Sequence, residues 1–315
     1  MSIFLPVKTT LFFLLLFSVN GYSQSVDYWH NLSFPGERQA WIMYENDIFA
    51  ATDRYYSQGI AACYKQPLKE GSRLGKLFFP LPGAQKSIGF SGDHMAFTPT
   101  TIAFDSIMYD NHPYAATLRA NVLFESVNPE RGSALSWMLS AGVIGPEAQG
   151  EEMQTAIHRA TDNPLPKGWD YQLNTGILLD AGMYARQRIA GAGRWFLLVA
   201  EESASLGTSR IDLSLGGKMQ LQLSNKNARY LFSVYANPAI RLVGYDGTLQ
   251  GSLIAQGSTV TVAGSRVSRV VFEREFGAMI RLGKFTMTGV FNLHSHQYND
   301  GMTHRWGGIR VGLVF

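Results

Sequence analysis

The chain of 315 residues is 46% hydrophobic and 12% aromatic but only 16% charged, with 32 glycines and one cysteine. Ample apolar content excludes a disordered chain, the lone Cys63 excludes an intrachain disulfide framework, and a net charge of +3 without a basic run argues against nucleic-acid binding. A membrane helix needs ~18 consecutive apolar residues, which only the extreme N-terminus approaches, leaving a large soluble β protein or a membrane β-barrel.

Residues 1–23 read as a secretory signal. Lys8 supplies a positive start, 11–19 (LFFLLLFSV) an apolar run too short to span a bilayer, and Gly21 and Ser23 a small-residue cleavage site. An N-terminal anchor helix is the alternative. The mature domain is expected over 24–315.

Beyond the signal, hydrophobicity alternates with period two. Ala40, Ile42 and Tyr44 alternate with Trp41 and Met43, and Ile211, Leu213 and Leu215 alternate with Asp212, Ser214 and Gly216. At the end of the chain Ile309, Val311, Leu313 and Phe315 share a face opposite Arg310 and Gly312. The pattern predicts strands near 38–46, 57–64, 86–97, 114–126, 133–144, 170–188, 194–205, 209–223, 229–244, 268–282, 285–297 and 305–315. A soluble sandwich also alternates. A transmembrane antiparallel up-and-down β-barrel of about twelve strands is favoured by loop asymmetry and by alternation that runs to the last residue. Aromatics near strand ends (Tyr64, Tyr114, Trp137, Tyr184, Trp195 and Trp306) suit interfacial girdles. With a periplasmic N-terminus, the outward connections 47–56, 98–113, 145–169, 245–267 and 298–304 are mostly long, and those on the other side are short. The stretch 65–85 breaks this rule, which suggests that strand two or three is misplaced.

Two outward segments carry candidate chemistry. Residues 44–59 (YENDIFAATDRYYSQG) gather Glu45, Asn46, Asp47, Asp53 and Ser57 at the outer mouth. Asn and Asp oxygens suit a hard cation such as calcium, which takes about six to eight oxygens. An ordinary polar turn would use the same residues. In 145–172, Pro146 suits a helix start and Glu147, Glu151 and Glu152 occupy early turns. Gln154 and His158, four apart, share a face. A neutral His beside an amide suits a positioned general base; a surface helix with an incidental His is the alternative. His294 and His296, expected on one lumen face, could begin a transition-metal site. Neither that pair nor Asp93-His94 has a further ligand nearby in sequence, so lumen polarity explains them better.

ENDxFxxTDRYYSxG (45–59), FTP (97–99), HPYA (112–115), GVIGPEA (142–148), Q-x-x-x-H (154–158) and GWDYQ (168–172) occur in this order. Together they resemble the lipid A 3′-O-deacylase family (LpxR-type) of outer-membrane barrels. The resemblance implies a twelve-stranded barrel in the outer membrane, with an extracellular-facing site between the outer wall and a short helix in an extracellular loop. It implies calcium-dependent hydrolysis of the ester-linked 3′ acyloxyacyl group of lipid A. Asn46 and Asp47 would serve the metal, Ser57 would line the site, Gln154 would stand on the helix side and His158 would be the general base. The expected partners are lipopolysaccharide of the outer leaflet and membrane lipids, with no nucleic acid and a monomeric chain. This sequence has no lysine between Thr98 and Pro113, with Phe104 near the expected place, and has Asn111-His112 where Asp-Arg is usual. Phosphate recognition would then fall to Arg54, His112 or Lys167. A non-catalytic pore or binding barrel, and an outer-membrane phospholipase, are the alternatives.

Overall fold

The computed structural model describes residues 36–52, 54–76, 78–192, 195–224, 230–255, 257–258 and 260–315. The expected signal segment and Asp53 lie outside the described residues. Twelve strands form one closed antiparallel barrel: β1 (Gln39–Asn46), β2 (Tyr55–Pro67), β3 (Gln85–Thr98), β4 (Ala115–Asn128), β5 (Ser133–Ile144), β6 (Gly176–Ala192), β7 (Phe196–Gly207), β8 (Arg210–Gln222), β9 (Tyr230–Asp246), β10 (Val270–Leu282), β11 (Phe285–His294) and β12 (His304–Val314). Each pairs with its sequence neighbours, and β1 closes the ring on β12 from Gln39↔Val314 to Asn46↔Gly307. Closure leaves no unpaired sheet edge.

Strand parity sorts the side chains. Ile42, Ile60, Phe90, Leu139, Ile177, Leu215, Phe276, Met287, Ile309 and Leu313 stand exposed on the outside. Their neighbours in sequence turn polar groups inward. There Lys65 pairs with Glu125 at 2.6 Å, Arg119 with Asp93 at 2.8 Å, Arg241 with Glu273 at 2.7 Å and Arg310 with Glu275 at 2.7 Å. Glu45 accepts from Tyr56 Oη at 3.0 Å and from Trp306 Nε1 at 3.3 Å. Charges withdrawn from water in this way need such partners. Between them the upper lumen keeps a cavity of about 80 Å³, lined in part by Glu45, Arg241, Glu273 and Arg310.

Long connections (47–54, 99–114, 145–175, 247–269 and 295–303) gather at one end, the mouth, and 129–132 and 283–284 turn tightly at the other. The stretch 68–84 is a true long connection at that second end, so the expectation of a misplaced strand is corrected. It folds back on the wall, with Phe78 stacked on Phe124 at 3.8 Å and Phe79 against Trp137 at 6.4 Å.

The girdle expectation fails for three aromatics. Tyr114 is covered by a mouth loop, and Tyr184 and Trp306 are buried on inward positions. His294 is buried in the lumen whereas His296 is exposed in the loop beyond β11, so the two imidazoles do not share a face.

Candidate active site

The connection after β5 holds a 3₁₀ turn (Pro146–Ala148) and helix α1 (Gly150–Ala160), separated by Gln149 at φ 58°. This helix lies against the outside of the wall. Ala96 and Ala116 are paired across β3 and β4 and occupy outward positions, yet both are 0% exposed. They are covered with Ile102, Tyr114, Ala148 and Trp169. The approach demands glycine at the head of the helix. A Cβ on Gly150 would stand 2.5 Å from both Ala116 Cβ and the Trp169 ring.

Gln154 and His158 are buried on one face of α1. Trp169 Nε1 donates to Gln154 Oε1 at 2.8 Å. The amide nitrogen of Gln154 is buried with no hydrogen-bond partner among the described residues. His158 Nδ1 lies 2.6 Å from the Pro164 carbonyl oxygen. A carbonyl only accepts, so Nδ1 carries the proton and Nε2 holds the lone pair of the neutral ring.

The wall opposite is set by strand irregularity. A β-bulge between Tyr56 and Gln58 shifts the β2–β3 register at Ser57, and such bulges re-aim side chains. Ser57 Oγ and Thr98 Oγ1 share a hydrogen bond of 2.7 Å, both buried. One strand over, Asn46 caps the 3₁₀ turn Asp47–Ala50 and accepts from Ile48 N at 2.8 Å. Asp47 is buried, and its Oδ2 accepts from Arg54 N at 2.6 Å. Asn46, Gln58, Ala96 and Ala116 form one continuous rung across β1 to β4. At the usual strand spacing that rung is about 14 Å long, so the Asn46–Asp47 turn and the helix-covered wall belong to neighbouring stretches of one surface.

The donor chemistry of this turn fits a hard cation, because Asn46 offers an amide oxygen and Asp47 a carboxylate. No group of three or more His, Cys, Asp or Glu side chains that could hold a metal occurs among the described residues. Backbone oxygens, water and substrate would complete a shell of about six to eight.

The three phosphate candidates separate. Lys167 is exposed, with its backbone N held by the Ile102 carbonyl at 3.1 Å. Arg54 is half-buried beside Asp47. His112 is fully buried, stacked on Phe97 at 5.4 Å, with Nδ1 2.8 Å from the Pro113 carbonyl and its backbone N bonded to Tyr298 Oη. Burial pushes its pKa down. An enclosed ring has no surface to offer a lipid phosphate, which corrects its assignment to substrate binding. Sequence reasoning passed over Gln58 and treated Asp93-His94 only as a weak metal pair. Both Gln58 and His94 are buried on outward positions of this wall, and parity with exposed Ile60 and Phe90 was the signal for them.

A family model described as outer membrane protein LpxR matches residues 10–315. The chain belongs to the LpxR outer membrane protein family. LpxR from Salmonella typhimurium has the same fold at a TM-score of 0.74 and 18% identity, over 88% of this chain and 100% of that one. The beta domain of the Bordetella autotransporter BrkA is more distant, at a TM-score of 0.49 and 10% identity over 90% and 99% of the two chains. No curated protein matches the sequence. As an LpxR-family barrel the chain resides in the outer membrane, and its apolar outer wall meets lipid. The helix-covered site stands at the long-loop end, the outer side in barrels of this kind.

Proposed function

We propose that this LpxR-family barrel hydrolyses the ester that links the 3′ acyloxyacyl group to lipid A. The observation that carries this reading is the pair on α1: His158 with its tautomer fixed by the Pro164 carbonyl, and Gln154 with a buried amide nitrogen that has no partner among the described residues. Both lie under a helix on the lipid-facing wall, at the end where outer-leaflet lipid is reached. The reaction then follows from these groups. His158 Nε2 takes a proton from water as the water oxygen bonds to the acyl carbon. The negative charge that develops on the carbonyl oxygen meets the Gln154 amide, a donor already in place. The acyl C–O bond breaks, the proton passes from His158 to the departing sugar oxygen, and a carboxylic acid and a free 3′ hydroxyl result.

Ser57 is a wall residue in this scheme. Its hydroxyl is bonded to Thr98, and water supplies the nucleophile. Asn46 and Asp47 would hold calcium, which when bound polarises the ester carbonyl as a Lewis acid. Lys167 and Arg54 remain for lipid phosphates. The buried inward ion pairs, Lys65–Glu125, Arg119–Asp93, Arg241–Glu273 and Arg310–Glu275, weigh against an open pore.

The test is mass spectrometry of lipid A incubated with the purified barrel and calcium. Loss of the 3′ acyloxyacyl group is expected, with none after chelation or with His158→Ala. Cleavage of glycerophospholipid and not of lipid A would make it a phospholipase.

A further inference from the structure

Gln58 lies beside the proposed site without a role in it. It follows Ser57 directly on the far side of the β2 bulge, and pairs with Asn46 on β1 and Ala96 on β3. Parity with exposed Ile60 puts it on the outward face, the lipid side of the wall. There it is 1% exposed, next to Ala96, whose outward side is covered together with Ile102, Ala148 and Trp169. Its Nε2 has no hydrogen-bond partner among the described residues. An amide shut away from water without an acceptor costs about 1–3 kcal/mol. An apolar side chain of that shape would avoid the cost.

Two such amides stand at this site, Gln154 on the helix and Gln58 on the wall. Both want an oxygen acceptor, and neither finds one among the described residues. An acylated glycolipid brings ester and amide carbonyl oxygens along every chain. We infer that Gln58 is a substrate-binding residue, with Nε2 donating to a carbonyl oxygen of the bound lipid. This rests on the hydrolase reading above, and it adds to that reading a donor to the lipid from strand β2.

The test is Gln58→Met, which keeps length and shape and removes the donor, read in two ways. Thermal unfolding in detergent should occur at the wild-type temperature or above it, since an unsatisfied buried donor is gone. Turnover of lipid A should fall about tenfold in kcat/KM, the value of one hydrogen bond, with the change in KM. Gln58→Glu, which accepts but does not donate, should lose as much. Retention of uncleaved lipid A by the His158→Ala barrel, with and without Gln58→Met, separates this claim from the hydrolase reading. Weaker retention with Gln58→Met supports the contact even where no cleavage is seen. A lower unfolding temperature with unchanged kinetics and lipid retention would make Gln58 a structural residue and overturn the inference. Unchanged values in all three measurements would overturn it as well.

Discussion

Among the described residues the His158 ring makes one hydrogen bond, Nδ1 to the Pro164 carbonyl, and that contact decides which nitrogen can act. General bases contribute about 10²–10⁴-fold, so His158→Ala should lower deacylation by that much while the barrel folds normally. The spacing of Gln154 and His158 was legible in the sequence, because four residues on a helix make one face. The partner of His158 was not, since it is the backbone carbonyl of Pro164, beyond the helix, and a carbonyl leaves no mark in the sequence. His112 was misjudged for the opposite reason: a polar residue in an outer loop looks exposed until Phe97, Tyr55 and Tyr298 close around it. Burial holds its folded pKa below the ordinary value, so the unfolded chain binds the proton more readily. Its contribution to stability is therefore full above about pH 6.5 and is lost as pH falls toward the folded value. Hydrogen exchange over 99–114, corrected for intrinsic rates, should be faster at about pH 5 than at about pH 7.5. His112→Phe should flatten that dependence.

Helix α1 works by where it is docked. Gly150 lets it touch Ala116 and Trp169, and Gly150→Leu would push its head off the wall. A displacement of about 1 Å at a reacting group costs about a hundredfold. Activity should fall by that order while the barrel keeps its heat-modifiable gel mobility; full activity would show that helix placement is unimportant. Pro146 and the acidic first turn announced this helix in the sequence. The β2 bulge was not announced, because one extra residue in a run of Tyr-Tyr-Ser-Gln changes no composition and breaks alternation only locally. β6 begins at Gly176, later than the predicted 170, because Trp169 leaves the sheet direction to bond Gln154.

The barrel itself was the most legible feature, since period two with one apolar face needs only parity. Parity also held the answer that position alone missed for the girdle aromatics. Trp306 shares the face of Arg310, and Tyr184 lies opposite the face of Ile177 and Leu179, so both turn inward. The inward charges were visible as residues, but their pairing depends on register across strands far apart in sequence. Arg310 bridges Glu45 and Glu275. Arg310→Ala would strand two buried carboxylates and should cost about 3–5 kcal/mol, read as a lower unfolding midpoint in urea. Planar bilayers containing the wild-type barrel should show no stable conductance steps, as expected where inward charges are paired and buried. The central claim is hydrolysis at the helix-covered wall, and the most direct test is product analysis of lipid A after incubation with purified wild-type and His158→Ala barrels in calcium. Release of the 3′ acyloxyacyl group by the wild type alone is the predicted result. Intact lipid A with the wild type, or equal release by both, would contradict it.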